Sequence, residues 1–355
     1  MTAAVAAASS APARLGRVGR TALLLALALF VSIVANLRLG AVPIEWRDLL
    51  ALIGIGEGDP GALTVLTGIR LPRLLAALAV GATLGVSGAA LQALFRNPLA
   101  EPGLLGVSTG AALGAAIWFV FGAGLFAGLA SLDLLRPFIL PLLSFAGALA
   151  SVALVLWLGR SGGPGATVLM LLVGIGVNAI GAALIGLATY ISTDTEMRAL
   201  SMWMLGSFAQ TEWAVLAPAL LLIALATTAL IRTHRALDLL ALGEAPARHL
   251  GIDTDRLRLK LGLLTAVAVG AAVSLSGVIG FVGLVVPHML RMAVGPAHRA
   301  LLPLCAMGGA ALLATADLAA RLVALPAEAP VGVIMALVGA PVFLSMLIRT
   351  RRAWL

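Results

Sequence analysis

Ala79-Val-Gly-Ala-Thr-Leu-Gly-Val-Ser-Gly88 returns later in the chain as Ala268-Val-Gly-Ala-Ala-Val-Ser-Leu-Ser-Gly277, matching at Ala, Val, Gly, Ala, Ser and Gly with an offset of 189 residues. The same offset carries Pro98 onto Pro287. Both copies are uncharged, and their small residues let helix backbones approach closely in lipid, as they would in any tight bundle. Coincidence in Gly/Ala-rich sequence is the alternative to a true repeat. A true repeat whose copies enter the membrane from opposite sides is the arrangement many transporters use to build a central pathway.

Working outward from these segments, the whole chain is apolar. Its 355 residues are 61% hydrophobic and 11% charged, against a soluble norm of about 45–50% apolar and about 25% charged. With a mean hydropathy of +1.11, a water-soluble fold is excluded. A transmembrane β-barrel needs short segments of alternating polarity, whereas runs such as Thr21 to Ala35 are continuously apolar. The class is therefore an all-α polytopic membrane protein. At roughly 20 residues per crossing the length accommodates about ten helices. They are expected near residues 21–39, 72–92, 104–125, 138–158, 168–188, 213–231, 260–280, 281–296, 300–320 and 331–348.

Arg14, Arg17 and Arg20 precede the first apolar run, which reads as a membrane helix; a cleaved signal peptide is the other reading. With residues 1–20 as a cytoplasmic tail, ten crossings return residues 350–355 to the same side, so both termini are cytoplasmic. Sixteen of the 23 basic residues then lie inside and seven outside, as the positive-inside rule requires. Residues 21–349 form one transmembrane domain, with repeat halves at about 70–190 and 258–349. The net charge of +8 comes from arginines scattered in ones and twos, with Lys260 the only lysine. That is no contiguous basic surface, so nucleic-acid binding is excluded. Cys305 has no partner in the chain and says nothing about redox compartment.

No enzyme site assembles from these residues. A Walker A loop needs Gly-Lys-Ser/Thr, but Lys260 sits in Arg258-Leu-Lys-Leu261. His234, His249, His288 and His298 are scattered and read as solvated or interface residues, with neither a metal site nor a catalytic residue expected. Asp317 and Arg321 stand at i, i+4, a local helix pair. The longest cytoplasmic stretch, about 232–257, holds Leu242-Gly-Glu-Ala-Pro-Ala-Arg-His-Leu-Gly251, which reads as a surface helix: a solvated connector or a docking element. An ion-coupled secondary transporter would share inverted repeats but would want buried ionisable residues along its core.

Arg70-Leu-Pro-Arg73, Arg96-Asn-Pro-Leu-Ala-Glu-Pro-Gly-Leu-Leu-Gly106 and Gly280-Phe-Val-Gly-Leu-Val-Val-Pro-His-Met-Leu-Arg291 resemble the permeases of type II ABC importers of the FecCD type, which take up iron chelates, haem and vitamin B12. Ala316-Asp-Leu-Ala-Ala-Arg321, Glu328-Ala-Pro-Val-Gly332 and Gly339-Ala-Pro-Val-Phe343 extend the likeness in the same order. The resemblance implies a homodimer in the bacterial inner membrane with two cytoplasmic ATP-binding subunits and one periplasmic substrate-binding protein. The chain itself would hold no cofactor; ATP and Mg belong to the ATPase. By the same resemblance Arg70, Arg73 and Arg321 receive acidic residues of the binding protein. Leu242, Gly243, Glu244, Ala245, Arg248, Leu250 and Gly251 form the coupling helix against the ATPase.

The resemblance also makes the spans near 168–188 and 331–348 the lining of the pathway. Asn178, Thr189 and Ser345 are then candidate lining residues, with packing or capping as the alternative for each, and Ser161 and Thr167 stand near the inner gate. The outward segment from Thr189 to Ser207, with its Thr-Asp, Arg198, Trp203 and Gly-Ser, looks most like haem permeases, with ferric siderophore and cobalamin as rival cargoes. Arg198 would meet a haem propionate and Tyr190 would approach iron; alternatively Arg198 pairs with Asp194 and Tyr190 anchors the interface.

Overall fold

The computed structural model describes residues 2–122, 135–160, 165–324 and 327–351. Its helices, in order, are α1 (Thr2–Arg38), α2 (Trp46–Leu52), α3 (Pro60–Val65), α4 (Leu71–Leu94), α5 (Val107–Ala116), α6 (Arg136–Leu158), α7 (Ala166–Ile191), α8 (Asp194–Met204), α9 (Trp213–Ile231), α10 (His234–Leu240), α11 (Glu244–His249), α12 (Thr254–Ser276), α13 (Val282–Val294), α14 (His298–Val323) and α15 (Val331–Arg351). A wider π turn, Leu66–Arg70, leads into α4, and another, Ile117–Phe121, extends α5.

Each of the ten expected spans coincides with a helix. Among the described residues seven are long and apolar enough to cross a membrane, and Val107–Phe121, Val282–Val294 and Val331–Ser345 are shorter apolar stretches. The expected crossing at 281–296 needs correction. Thirteen helical residues reach only about 20 Å at 1.5 Å each, short of the roughly 30 Å hydrocarbon core. The run reads as a full span because Gly277 to Phe281 continues its apolar composition, yet those residues are extended or left-handed rather than helical. The expected span 104–125 likewise begins as a turn, with α5 proper starting at Val107; its residues 123–125 lie outside the described ones.

α4 lies at the centre. It packs chiefly on α14, then on α13, α12 and α9, while α12 packs on α6, α9 and α5. Two close backbone approaches fall on the repeat. A methyl on Gly81 would stand 2.2 Å from the Gly309 carbonyl oxygen of α14, and one on Gly88 2.1 Å from the Gly283 oxygen of α13. At the repeat-equivalent position, Gly270 of α12 faces Ala148 and Phe145 of α6. Each repeat helix thus packs on a helix of the opposite half, α4 on α14 and α12 on α6; α9 packs on both α4 and α12 and joins α4 through a 2.8 Å hydrogen bond between the Thr83 and Thr227 hydroxyls.

The two halves are inverted. Arg73, at the start of α4, bonds Glu328, just before α15 begins, and Ser276, at the end of α12, lies beside Ser207. Gly332 in turn sits against Leu205 and Val278, so the start of α4 and the end of α12 share one end of the bundle, the arginine end. At the other end Arg96 lies beside Gly243, and Arg258 near the start of α12 bonds Glu244. α4 and α12 therefore run in opposite directions. The last turn of α1 and the first turn of α15 both lie at the arginine end, so the opposite ends of these two helices share the side of residues 232–257, called the segment end.

Each half also carries one re-entrant stretch. Leu104 enters from the segment end and meets Gly174, eight residues into α7; Phe281 enters from the arginine end and meets Gly339, eight residues into α15. These contacts explain the two short helices: each starts part-way across, where the preceding coil has already covered the remaining depth.

Candidate functional site

At the arginine end, four of the last α1 residues and the loop behind them present carbonyls without helical partners, the normal condition of a helix C-terminus. Two arginines satisfy them. Arg70 donates to the Leu37 and Val42 oxygens, and Arg321 donates to the Asn36 and Leu39 oxygens and to the Asn36 side-chain oxygen. Cations there also complement the negative end of the helix dipole. Asn36 is held in turn, its amide donating 2.9 Å bonds to the oxygens of Ser32 and Ala314.

Arg73 is saturated by carboxylates. Its Nε and Nη2 donate to Asp317 at 2.9–3.1 Å, and Nη1 donates to both oxygens of Glu328 at 2.7 and 2.9 Å. Asp317 is completely buried and also lies 3.5 Å from Arg321 Nε, the i, i+4 pair expected from the sequence. Arg70, Arg73 and Arg321, expected to receive acidic residues of a binding protein, come together at this end and are all buried within the chain. In a poorly solvated bundle, a fork with unused donors is costly, and the nearest acceptors belong to the chain itself. Beside this network Asp48 accepts backbone bonds from Asp59 and Glu45, each at 2.9 Å. These, more than the neighbouring Arg47, hold its carboxyl below the usual carboxylate range against the opposing effect of burial.

Along the expected pathway the side chains are mostly occupied. Asn178 donates to the Gly103 oxygen at 2.9 Å and accepts from Thr109 at 2.6 Å, so both ends of its amide fasten α7 to the re-entrant turn. Thr189 bonds back to Ile185 and Ser345 to Val342. For these three the packing or capping alternative matches the geometry. Tyr190 is 86% exposed and Arg198 is exposed. Among the described residues Arg198 forms no ion pair with Asp194 or any other carboxylate. Ser161 lies outside the described residues.

At the segment end, residues 232–257 fold into α10 and α11. Leu242, Ala245, Arg248, Leu250 and Gly251 are exposed while Ala247 is fully buried, so α11 is seated by one side chain and presents an apolar, basic-edged face. Gly243 enters it with φ +119, a conformation that suits glycine. Glu244 turns inward to Thr167 and Arg258. Asp238 of α10 accepts from the backbone N–H of His298 at 2.8 Å and pairs with its ring at 2.7 Å, clamping the start of α14. The partners Asn36, Asp238 and Gln92, which bridges Arg291 and the Gly283 oxygen, had no assigned role from sequence. Asn36, a polar residue in an otherwise apolar run, was the one legible signal.

Residues 27–349 match the FecCD transport family. The chain is 42% identical over 329 residues to the hemin transport system permease protein HmuU of Yersinia pestis, covering 85% of this chain and 94% of the relative. It is 43% identical over 290 residues to the vitamin B12 import system permease protein BtuC of Escherichia coli O9:H4 (strain HS), covering 80% and 83%. A solved structure of an inward-facing metal-chelate type ABC transporter superposes with a TM-score of 0.80 at 32% identity, covering 92% of this chain and 98% of the other.

Proposed function

The chain belongs to the FecCD transport family and is a permease of a type II ABC importer, and from that premise we propose that its cargo is haem, passed from a binding protein outside the bacterial inner membrane to the cytoplasm. The observation that carries the choice is the match along nearly the full length of a hemin permease. Support comes from the arginine end, where exposed Tyr190 closes α7 and exposed Arg198 follows on α8. A free guanidinium suits a propionate, and a phenol oxygen suits ferric iron. The comparable identity to a vitamin B12 permease favours cobalamin as the second reading.

In this proposal the protein works as a homodimer. Two ATPase subunits, holding ATP and Mg, seat the exposed face of α11 in their grooves, and the binding protein docks at the arginine end. Of the three arginines, Arg70 and Arg321 are the better docking residues, because their partners are mostly carbonyls that an incoming carboxylate can outcompete through a charge-assisted bond. Arg73 already has two carboxylates and serves to hold the frame.

Proteoliposomes containing the chain with its cognate ATPase and binding protein provide the test. ATP-dependent haem accumulation is expected; uptake of cobalamin or a ferric siderophore with none of haem would overturn the cargo. Transport by the chain alone under an ion gradient would overturn the ABC mechanism. Arg198→Ala is expected to slow haem uptake by about tenfold, since a hydrogen bond to a charged group contributes about 1.5–3 kcal/mol. An unchanged rate would remove Arg198 from the entry site.

A further inference from the structure

We propose that Glu244 is the positioning residue that ties the coupling helix directly to the transport pathway, by holding Thr167 at the foot of α7. This deepens the coupling role proposed above and rests on it.

Glu244 is the first residue of α11, yet its side chain points away from the exposed face. Oε1 accepts from the Thr167 hydroxyl at 3.0 Å and from Arg258 Nη2 at 3.2 Å. Thr167 is the second residue of α7 and Arg258 the fifth of α12. One carboxylate oxygen thus joins the first turns of two long helices, where the positive ends of their dipoles favour negative charge. Arg258 is itself fixed: its side chain is only 8% exposed and Nη1 donates to Asp255 at 2.7 Å. Arg248 adds a second tie to α12 through Thr254 at 2.7 Å.

The two arms differ in redundancy. α11 is held to α12 by bonds from both Glu244 and Arg248, but among the described residues the Thr167 bond is the one side-chain hydrogen bond between α11 and α7. α7 spans 26 residues, about 39 Å at 1.5 Å each, from this foot to Tyr190 at the opposite end. Among the described residues, then, side-chain hydrogen bonding carries a displacement of α11 to the pathway helix through one hydroxyl. Without that hydroxyl, α11 and α12 still move together with the ATPase, while α7 does not follow.

The consequence is an uncoupling phenotype that a merely structural contact would not produce. In proteoliposomes of the complete importer, Thr167→Val is expected to lower cargo transported per ATP hydrolysed by at least about fivefold while hydrolysis continues, and Thr167→Ser is expected to restore the ratio. In a Glu244→Ala background, Thr167→Val is expected to add nothing, because the pair acts as a unit. Glu244→Leu, which removes the acceptor but keeps the bulk of the side chain, supplies the same cycle should Glu244→Ala fail to assemble. A wild-type ratio in Thr167→Val, a Thr167→Ser variant as impaired as the valine, or losses that simply add would each overturn the proposal. Wild-type vesicles measured alongside keep the two readings distinct: absence of any ATP-driven uptake there removes the importer reading itself, whereas normal wild-type uptake with an unaffected valine variant removes only the Glu244 link.

Discussion

Asp317→Ala is expected to lower the melting temperature of the purified permease in detergent by on the order of 5–10 °C. The carboxylate is fully buried between Arg73 and Arg321. Its loss leaves Arg73 with Glu328 alone and Arg321 with carbonyls and the Asn36 amide oxygen. Removing one partner of a buried pair costs about 3–5 kcal/mol, chiefly because an uncompensated charge stays behind, and about 1 kcal/mol corresponds to roughly 2–4 °C in a protein of some 150–250 residues. Asp317→Asn keeps an acceptor for Arg73 and should lose less. A melting point for Asp317→Ala within about 2 °C of the parent would mean the network is solvated.

Gly88→Ala is expected to abolish most folded protein, a larger effect than a single methyl usually has. The new carbon would lie 2.1 Å from the Gly283 oxygen and 2.5 Å from its Cα. Both neighbours are backbone, so no rotamer change relieves the contact; α4 and α13 must separate, and the Gln92 bond to the Gly283 oxygen separates with them. Overpacking typically costs about 1–3 kcal/mol where side chains can yield, and at least the upper end applies where they cannot. Gly186→Ala, in open space on α7, is the control and should match or exceed the parent, since alanine favours a helix over glycine by up to about 1 kcal/mol. Fluorescence-detected size exclusion of the two variants gives the comparison; equal monodisperse yields would show that the α4–α13 contact tolerates expansion.

Much of this architecture was legible because it depends on local properties. A run of apolar residues long enough to cross a bilayer is visible without knowing what it packs against, and Trp213–Ile231 coincides with its expected span at both ends. The exposed segment 232–257 was equally legible, since most charged residues between two apolar runs turn to water, although Glu244 turns inward. The arginine network was not. Arg73 meets Asp317 across 244 positions and Glu328 across 255, and the carbonyls that hold Arg70 and Arg321 leave no side-chain signature. The internal partners of Arg70, Arg73 and Arg321 therefore could not be read from the sequence. The bonds of Asn178 were hidden for a related reason: a polar residue within an apolar helix marks either a pathway or a fastening, and its partners Gly103 and Thr109 lie 75 and 69 residues away in sequence.

The sequence by itself determined that this chain lives in lipid and that its helices fall in two related halves of opposite orientation, because composition, hydropathy and repetition are properties of a string. Tertiary structure alone decided that α5 and α13 start part-way across, that Arg73 meets Asp317 and Glu328, and that Glu244 reaches Thr167. Each of these depends on which backbone lies within a few ångströms of which other. In a bundle whose closest contacts set a glycine against another backbone, the residues that permit an approach are too small to name their partners.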